Sequence, residues 1–219
     1  MRWQDPEGYE LSSWRLGTVR GEYVRMRRLR ACLPFVDPGG LLLDVGCGPA
    51  TLSKDFSCDV VGCDLSVPML RKTKERLHTD VVRCDAQALP FRDKCFDTSY
   101  ESSCLYLVGQ KRSMLEEMAR VARKRVIVFE SNRLTPRRLY NRFFGKRKYA
   151  DMLSPSQVKK YIRESKLSPR SSVVRMVGFA PLMQKKSVLK LWGPVESFIE
   201  ACPVLRLFAG GILAVVDLV

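Results

Sequence analysis

Asp44, Gly46 and Gly48 stand in the run Leu41-Leu42-Leu43-Asp44-Val45-Gly46-Cys47-Gly48-Pro49-Ala50, and their types and spacing suit the binding of a small molecule against main chain. The leucines and Val45 make a short apolar strand without alternation, as expected for a strand buried on both faces of a parallel sheet. The two glycines then turn the chain, and with no Cβ in the way a ligand can approach the backbone. A helix start beyond the turn would offer it unpaired N–H groups. Asp64 ends a second apolar run, Val60–Cys63, about 20 residues further on. An acid at that place can accept hydrogen bonds from both hydroxyls of a ribose. Asp85 follows a third run, Val81–Cys84. A lone acid at a strand end is usually a cap or turn residue. Three of them at the C-terminal ends of three apolar strands mark the edge where open α/β sheets bind ligands.

The dinucleotide pattern G-x-G-x-x-G fails here, because its last position is Thr51. The run instead resembles the D-x-G-x-G-x-G motif of class I S-adenosylmethionine-dependent methyltransferases, with Ala50 in place of the third glycine. Asp64-Leu65-Ser66-Val67-Pro68-Met69-Leu70 resembles the family's D-x-S-x-x-M-L. Asp85-Ala86-Gln87-Ala88-Leu89-Pro90-Phe91, followed by Cys95-Phe96-Asp97, resembles its "GDA-x-x-LPF-x-D-x-x-FD" stretch. The resemblance covers residues 36 to about 132, within the broad group that contains the ubiquinone/menaquinone C-methyltransferases. It implies S-adenosylmethionine as cofactor and S-adenosylhomocysteine as product. It also implies cofactor contacts at Asp44, Gly46, Cys47, Gly48, Asp64, Leu65, Met69, Asp85, Ala86 and Glu101, with Asp85 reading the adenine amino group. The residue matching Arg83 or Cys84 is often glycine in the family, so this strand end is bulkier than usual. Periodicity alone says α/β. The resemblance implies a doubly wound, Rossmann-like seven-stranded sheet, mostly parallel with the last strand antiparallel and helices on both faces.

Methyl transfer from a sulfonium asks mainly for in-line positioning and exclusion of water. A general base is needed only when the acceptor must lose a proton early. Glu101 and Tyr106 are the catalytic candidates, placed by sequence just after the fourth strand. Glu101 suits a cofactor contact, a base or an ion pair with a nearby arginine equally well. Tyr9 and Trp14 are candidates to cover the cofactor from an N-terminal helix, against the alternative of plain helix-to-sheet packing. No N-P-P-Y-like motif ends the fourth strand, which disfavours transfer to amino nitrogens of bases or glutamine.

Lys and Arg number 38 against 23 Asp and Glu, a formal +15. Between Arg133 and Lys148 stand seven basic residues and no acid: Arg133, Arg137, Arg138, Arg142, Lys146, Arg147 and Lys148. Tyr140, Phe143, Phe144 and Tyr149 are interleaved. In the family a substrate-covering lid is often inserted here, which makes Arg138, Tyr140 and Phe143 candidate substrate residues. Three readings stay open. The segment is a solvated face, a site for an anionic or amphipathic small substrate presented at an anionic membrane surface, or an RNA contact using phosphates and base stacking.

The elements that must position these residues alternate as in a doubly wound domain. Expected strands are 41–45, 59–63, 80–83, 96–100, 125–130, 172–178 and 212–218. Expected helices are 8–35, 49–55, 67–77, 111–122, 155–165 and 194–201. The whole chain, 1–219, reads as one domain: a helical cover (1–35), a cofactor core (36–132), a basic and aromatic lid with its helix (133–170) and C-terminal strands (171–219). The eight cysteines form no C-x-x-C pair, and with His78 as the sole histidine no metal site is expected. Buried thiols of this kind suit a reducing compartment. With no signal segment at the start and no apolar run long enough to span a bilayer, the expected location is cytoplasmic. The functional expectation is methyl transfer to a small organic acceptor, anionic or lipid-like. The alternatives are an RNA (tRNA) methyltransferase and a non-catalytic cofactor-binding partner subunit.

Overall fold

A computed structural model of the chain describes residues 4–144, 152–165, 167, 169–178 and 186–219, with backbone alone at 142 and 186–191. Seven strands form one sheet: β1 (Leu41–Val45), β2 (Asp59–Asp64), β3 (Val81–Arg83), β4 (Phe96–Ser102), β5 (Ala122–Ser131), β6 (Pro169–Val177) and β7 (Gly211–Leu218). Their order is β3-β2-β1-β4-β5-β7-β6. β1 to β5 pair in parallel, and β7 runs antiparallel to both β5 and β6. All seven expected strands are present. The strand order reverses direction between β1 and β4, the switch point at which such sheets bind ligands.

The helices are α1 (Pro6–Tyr9), α2 (Val19–Cys32), α3 (Val67–Leu77), α4 (Lys111–Val121), α5 (Pro136–Phe143), α6 (Pro155–Glu164) and α7 (Lys186–Ala201). The unalternating apolar run of β1 is explained by packing on both faces. Leu42 joins Leu29 and Cys32 of α2, with Tyr100, Ile127 and Phe129. Leu43 and Val45 join Met114, Leu115 and Met118 of α4, with Val158 of α6. The three residues from α4 lie on one helical face and are fully buried. Local signals start the helices where the sequence places them. The Ser66 hydroxyl accepts from Met69 N with Pro68 in the first turn of α3, and Ser154 and Gln157 close a capping box on α6.

Three expected helices need correction. The span 8–35 is not one helix. A single π turn, Glu10–Trp14, ends in left-handed Arg15 (φ 56°), and Gly17 (φ 83°) precedes Thr18, which caps α2 through Gly21 N at 3.0 Å. The break swings residues 6–14 back over the sheet edge. The span 49–55 holds only a 3-10 turn, Ser53–Asp55. Ala50 is left-handed at φ 53°, the region the family's third glycine would occupy without strain. Thr51 and Ser53 spend their hydroxyls on Glu10 and Asp44, partners outside the turn. The last helix starts earlier than expected, α7 spanning 186–201 instead of 194–201, with Pro194 inside it. α5 supplies a helix where the sequence suggested only a lid.

Candidate active site

β1 and β4 end side by side, Asp44 opposite Tyr100. A cavity of about 30 Å³ lies beyond their C-terminal ends, walled by Asp44, Gly46, Gly48, Tyr100 and Ser102. Its roof is Tyr9 and Trp14 of the N-terminal cover. Gly46 and Gly48 are left-handed, with φ of 66° and 52°. A Cβ on Gly46 would stand 2.3 Å from Cys104 Sγ, so only glycine lets the loop pass beneath the segment after β4. Cys47 N donates to Cys63 O at 2.9 Å, and Thr73 of α3 donates to Gly48 O at 2.6 Å, so β2 and α3 brace the loop. Asp44 is buried and accepts from the Ser53 hydroxyl; burial pushes its carboxyl up to about 7, against that hydrogen bond.

Asp64 is at the end of β2, with Gly48 N on one carboxylate oxygen at 2.9 Å and Ser66 N on the other at 2.8 Å. The carboxylate's remaining lone-pair capacity is open to ribose hydroxyls. Burial raises this carboxyl and three backbone donors, the N–H groups of Ser66, Gly48 and Leu65, lower it, with burial prevailing. Asp85, beyond β3, is held below the ordinary carboxylate range by hydrogen bonds from Gln87 N (2.9 Å) and the Gln87 amide (3.0 Å). Leu65 is exposed at the loop after β2, whereas Met69 and Ala86 are buried. The acids of three different strands therefore stand along one sheet edge.

Glu101 belongs to β4 itself, not to the segment after it, and strand alternation points it away from the cavity that Tyr100 and Ser102 line. It is fully buried. Its Oε2 accepts from Cys104 N (2.8 Å) and Leu105 N (3.1 Å), while Oε1 has no hydrogen-bond partner among the described residues. Tyr106 is half-buried, and its N–H donates at 2.9 Å to Glu130, a second fully buried acid. Burial and then the neighbouring Glu130 charge raise Glu101 well above its ordinary value; burial pushes Glu130 up to about 7. Two buried carboxyls thus hold the 103–106 loop against the glycine turn.

Sequence reading missed five groups here. Arg28 of α2 points inward, its guanidinium 5.0 Å from the Trp14 ring and 4.9 Å from Phe129, and donates to Ser131 Oγ at 2.7 Å and Ser103 Oγ at 3.2 Å. Its spacing was a usable signal: seven residues after Gly21 and four before Cys32, it falls on the buried stripe of α2. Glu10 is buried and takes a bidentate contact from Arg76 (2.6 and 2.8 Å) and the Thr51 hydroxyl (2.9 Å). Burial raises its carboxyl, but these partners outweigh it and hold it below the ordinary range. They pin the cover onto the glycine loop. Tyr100 and Ser102 line the cavity, their hydroxyls close to one another and with no other hydrogen-bond partner among the described residues, so capacity is left for a bound ligand. Glu130, Tyr100 and Ser102 had no sequence signal beyond strand position.

Of the lid, Arg137, Tyr140, Phe143 and Phe144 are exposed and Arg133 is partly exposed; the Arg138 guanidinium donates to Asn132 O at the root of α5. Lys146, Arg147, Lys148, Tyr149 and the side chain of Arg142 lie outside the described residues. No cluster of metal-binding side chains occurs among the described residues, and none of the eight cysteines is paired. His78 caps the C-terminal end of α3, exposed.

Residues 43–129 match a family model described as a methyltransferase domain. They form a class I S-adenosylmethionine-dependent methyltransferase domain. The chain is 37% identical over 132 residues to a demethylmenaquinone methyltransferase of Paenarthrobacter aurescens, covering 56% of this chain and 52% of that protein. It spans about half the length of the curated relatives it matches. In fold, it is similar to a methyltransferase of Thermotoga maritima described as a possible histamine N-methyltransferase (TM-score 0.69, 15% identity, 96% of this chain and 93% of that one). The magnesium protoporphyrin IX methyltransferase of Synechocystis, solved with S-adenosylhomocysteine, is also similar (TM-score 0.63, 13% identity, 92% and 86%). The methyltransferase domain suits its cofactor on its own geometry: a glycine turn that tolerates no Cβ at Gly46, an acceptor carboxylate at Asp64, and the Tyr100 and Ser102 hydroxyls in the cavity wall with no described partner beyond each other.

Proposed function

We propose that this chain transfers the methyl group of S-adenosylmethionine to a small organic acceptor of anionic or lipid-like character. The observation that carries the proposal is Arg28. Its guanidinium lies near two aromatic rings, one of them Trp14 in the cavity roof; it makes no close salt bridge among the described residues, although the buried Glu130 is near enough for its charge to act on it. A cation so placed suits an anionic group on the acceptor. On this reading Asp64 and Asp85 hold ribose and adenine, the glycine turn receives the amino-acid tail, and Tyr100 and Ser102 bind the tail or the acceptor. The cofactor supplies an electrophilic methyl group; the chain's own work is alignment and exclusion of water. With the cover down, about 30 Å³ is too little for either ligand. Residues 6–14 therefore lift about the Arg15–Gly17 joint to admit them and reclose through Glu10, Arg76 and Thr51. The relatives' descriptions, a demethylmenaquinone methyltransferase and a ubiquinone/menaquinone biosynthesis C-methyltransferase, support a small organic acceptor. The residues that would choose it lie largely outside the 43–129 match.

The test is a transfer of tritiated methyl groups from S-adenosylmethionine in a cell extract, with and without added protein. Label in the small-metabolite or lipid fraction is expected. Label in RNA would turn the reading toward an RNA methyltransferase, and no transfer despite cofactor binding toward a non-catalytic subunit.

Asp85 has its own expected outcome. Asp85→Asn keeps one acceptor oxygen and weakens cofactor binding only slightly. Asp85→Ala weakens it roughly tenfold, as for a lost hydrogen bond of ~1–1.5 kcal/mol. Calorimetric titration with S-adenosylhomocysteine separates the two, and equal losses would show that charge, not acceptance, is what matters.

A further inference from the structure

We propose that α5 and the turn after α7 form a docking surface for an anionic membrane, set at the mouth of the site. α5 and the residue after it carry an apolar stripe that nothing among the described residues covers, Leu139, Tyr140, Phe143 and Phe144, at i, i+1, i+4 and i+5. Phe143 is 86% exposed, and its ring and that of Tyr140 pack on Phe144 at 5.4 and 4.4 Å. Val204, Leu205 and Leu207, in the 3-10 turn before β7, are exposed too. Asn132 joins the two segments: its side-chain amide donates to Leu207 O and Ala209 O, each at 2.8 Å, while its Oδ1 accepts from Leu134 N at the root of α5. Clustered exposed aromatics such as those of α5 commonly mark a site of interaction.

Charge identifies the partner. Arg20 lies close enough to Arg137 and Arg15 for their charges to lower its proton affinity, after the larger effect of burial. Arg137 itself stands on α5, one turn before Tyr140 in the same helix, and is exposed. Residues 133–144 contain no acid, and Arg206 stands in the other apolar segment. Cations around exposed aromatics and aliphatics match a bilayer interface, where headgroup charge and acyl chains lie within a few ångströms of each other. RNA would use the rings and the arginines but has no use for Leu139, Leu205 and Leu207. The surface also stands where an amphipathic acceptor would enter. Ser131 ends β5 and holds Arg28, and the next residue, Asn132, anchors both apolar segments. The inference rests on the proposed small-acceptor reading only for what the membrane delivers; vesicle binding itself does not depend on it.

The test is flotation of the full chain with vesicles of phosphatidylcholine alone, or with a minority of phosphatidylglycerol. Binding is expected to the mixed vesicles, weakening with salt. Phe143→Ser with Tyr140→Ser should lower partitioning roughly tenfold or more, from the loss of aromatic burial. Arg20→Gln with Arg137→Gln should lower it roughly tenfold or more on the anionic vesicles and hardly at all on neutral ones. Equal binding of wild type and both variants would overturn the proposal. So would tRNA capture with the same arginine dependence and no vesicle binding, or a dimer that Phe143→Ser dissolves. The S-adenosylhomocysteine-induced thermal shift, measured in all three proteins, should persist. Its absence in the wild type would sink the methyl-transfer reading independently of the membrane result.

Discussion

S-adenosylhomocysteine raises the melting temperature of the wild-type chain by several degrees, and Asp64→Ala loses most of that rise. A ligand that binds only the folded state at about 100 times its Kd stabilises it by ~2.7 kcal/mol. For a chain of this size that is roughly 5–10 °C. On the proposed reading, Asp64 accepts from the ribose hydroxyls with the lone-pair capacity that its backbone donors, Gly48 N and Ser66 N among them, leave free. Losing two hydrogen bonds to a charged acceptor, at ~1.5 kcal/mol each, weakens binding about a hundredfold. The same ligand concentration then supplies only ~0.4 kcal/mol, a shift of about 1 °C. Removing the carboxylate also strips these backbone N–H groups of their acceptor, so the ligand-free melting temperature falls as well. The ligand-induced difference is therefore the quantity to compare. A full-sized shift in Asp64→Ala would place the ribose elsewhere.

The second large effect is a reversed pH dependence of stability. Glu130 is fully buried and its carboxyl is pushed up from 4.5 to about 7, by burial first; Glu101 rises in the same direction, by burial and by the Glu130 charge. A carboxyl that holds its proton more tightly in the folded state favours folding at low pH. Its contribution is complete below about 4.5, declines as pH rises toward 7, and is gone above it. For Glu130 alone the difference is about 3 kcal/mol. Asp44, pushed up to about 7, adds in the same sense. The carboxyls held low, such as Asp85 and Glu117, stay ionised across pH 5–8 and do not oppose the trend there. Wild type should therefore melt several degrees higher at pH 5 than at pH 8. Glu130→Gln, which mimics the protonated acid, should flatten that slope, mainly by gaining at pH 8. Melting curves across this range decide the matter: a wild-type profile that climbs toward pH 8, with Glu130→Gln lowered equally throughout, would mean that Glu130 is ionised in the folded chain and compensated by Arg28.

Sequence alone determined what depends on neighbours along the chain. Apolar runs bounded by glycine, proline and acids located β1, β2, β5 and β7, because a strand packed on both faces must be apolar at successive positions, whereas β4 carries polar residues and β6 is largely exposed. Asp44, Gly46, Gly48, Asp64 and Asp85 were legible for a related reason: a turn that lets a ligand touch backbone demands glycine, and an acid at a strand's carboxyl end has a direction fixed by the strand itself. Met114, Leu115 and Met118 were legible as a helical stripe. Tertiary structure decided whatever depends on residues brought together from far apart. Glu101 reads like a residue at the mouth, but strand alternation within β4 sends it into the core beside Glu130, 29 positions away. Arg28 reads like one more surface arginine until α2 lays it between Trp14 and Phe129. The helix expected at 49–55 gave way because Thr51 and Ser53 found partners in the cover and in β1, an outcome that propensity along the segment does not encode. The closed cover itself rests on Glu10 meeting Arg76 across 66 positions. Local rules position the groups proposed to bind a nucleoside, because the strand and turn bearing each one also aim it. The charges and hydroxyls that would meet the acceptor sit on separate elements, and only packing brings them to one cavity.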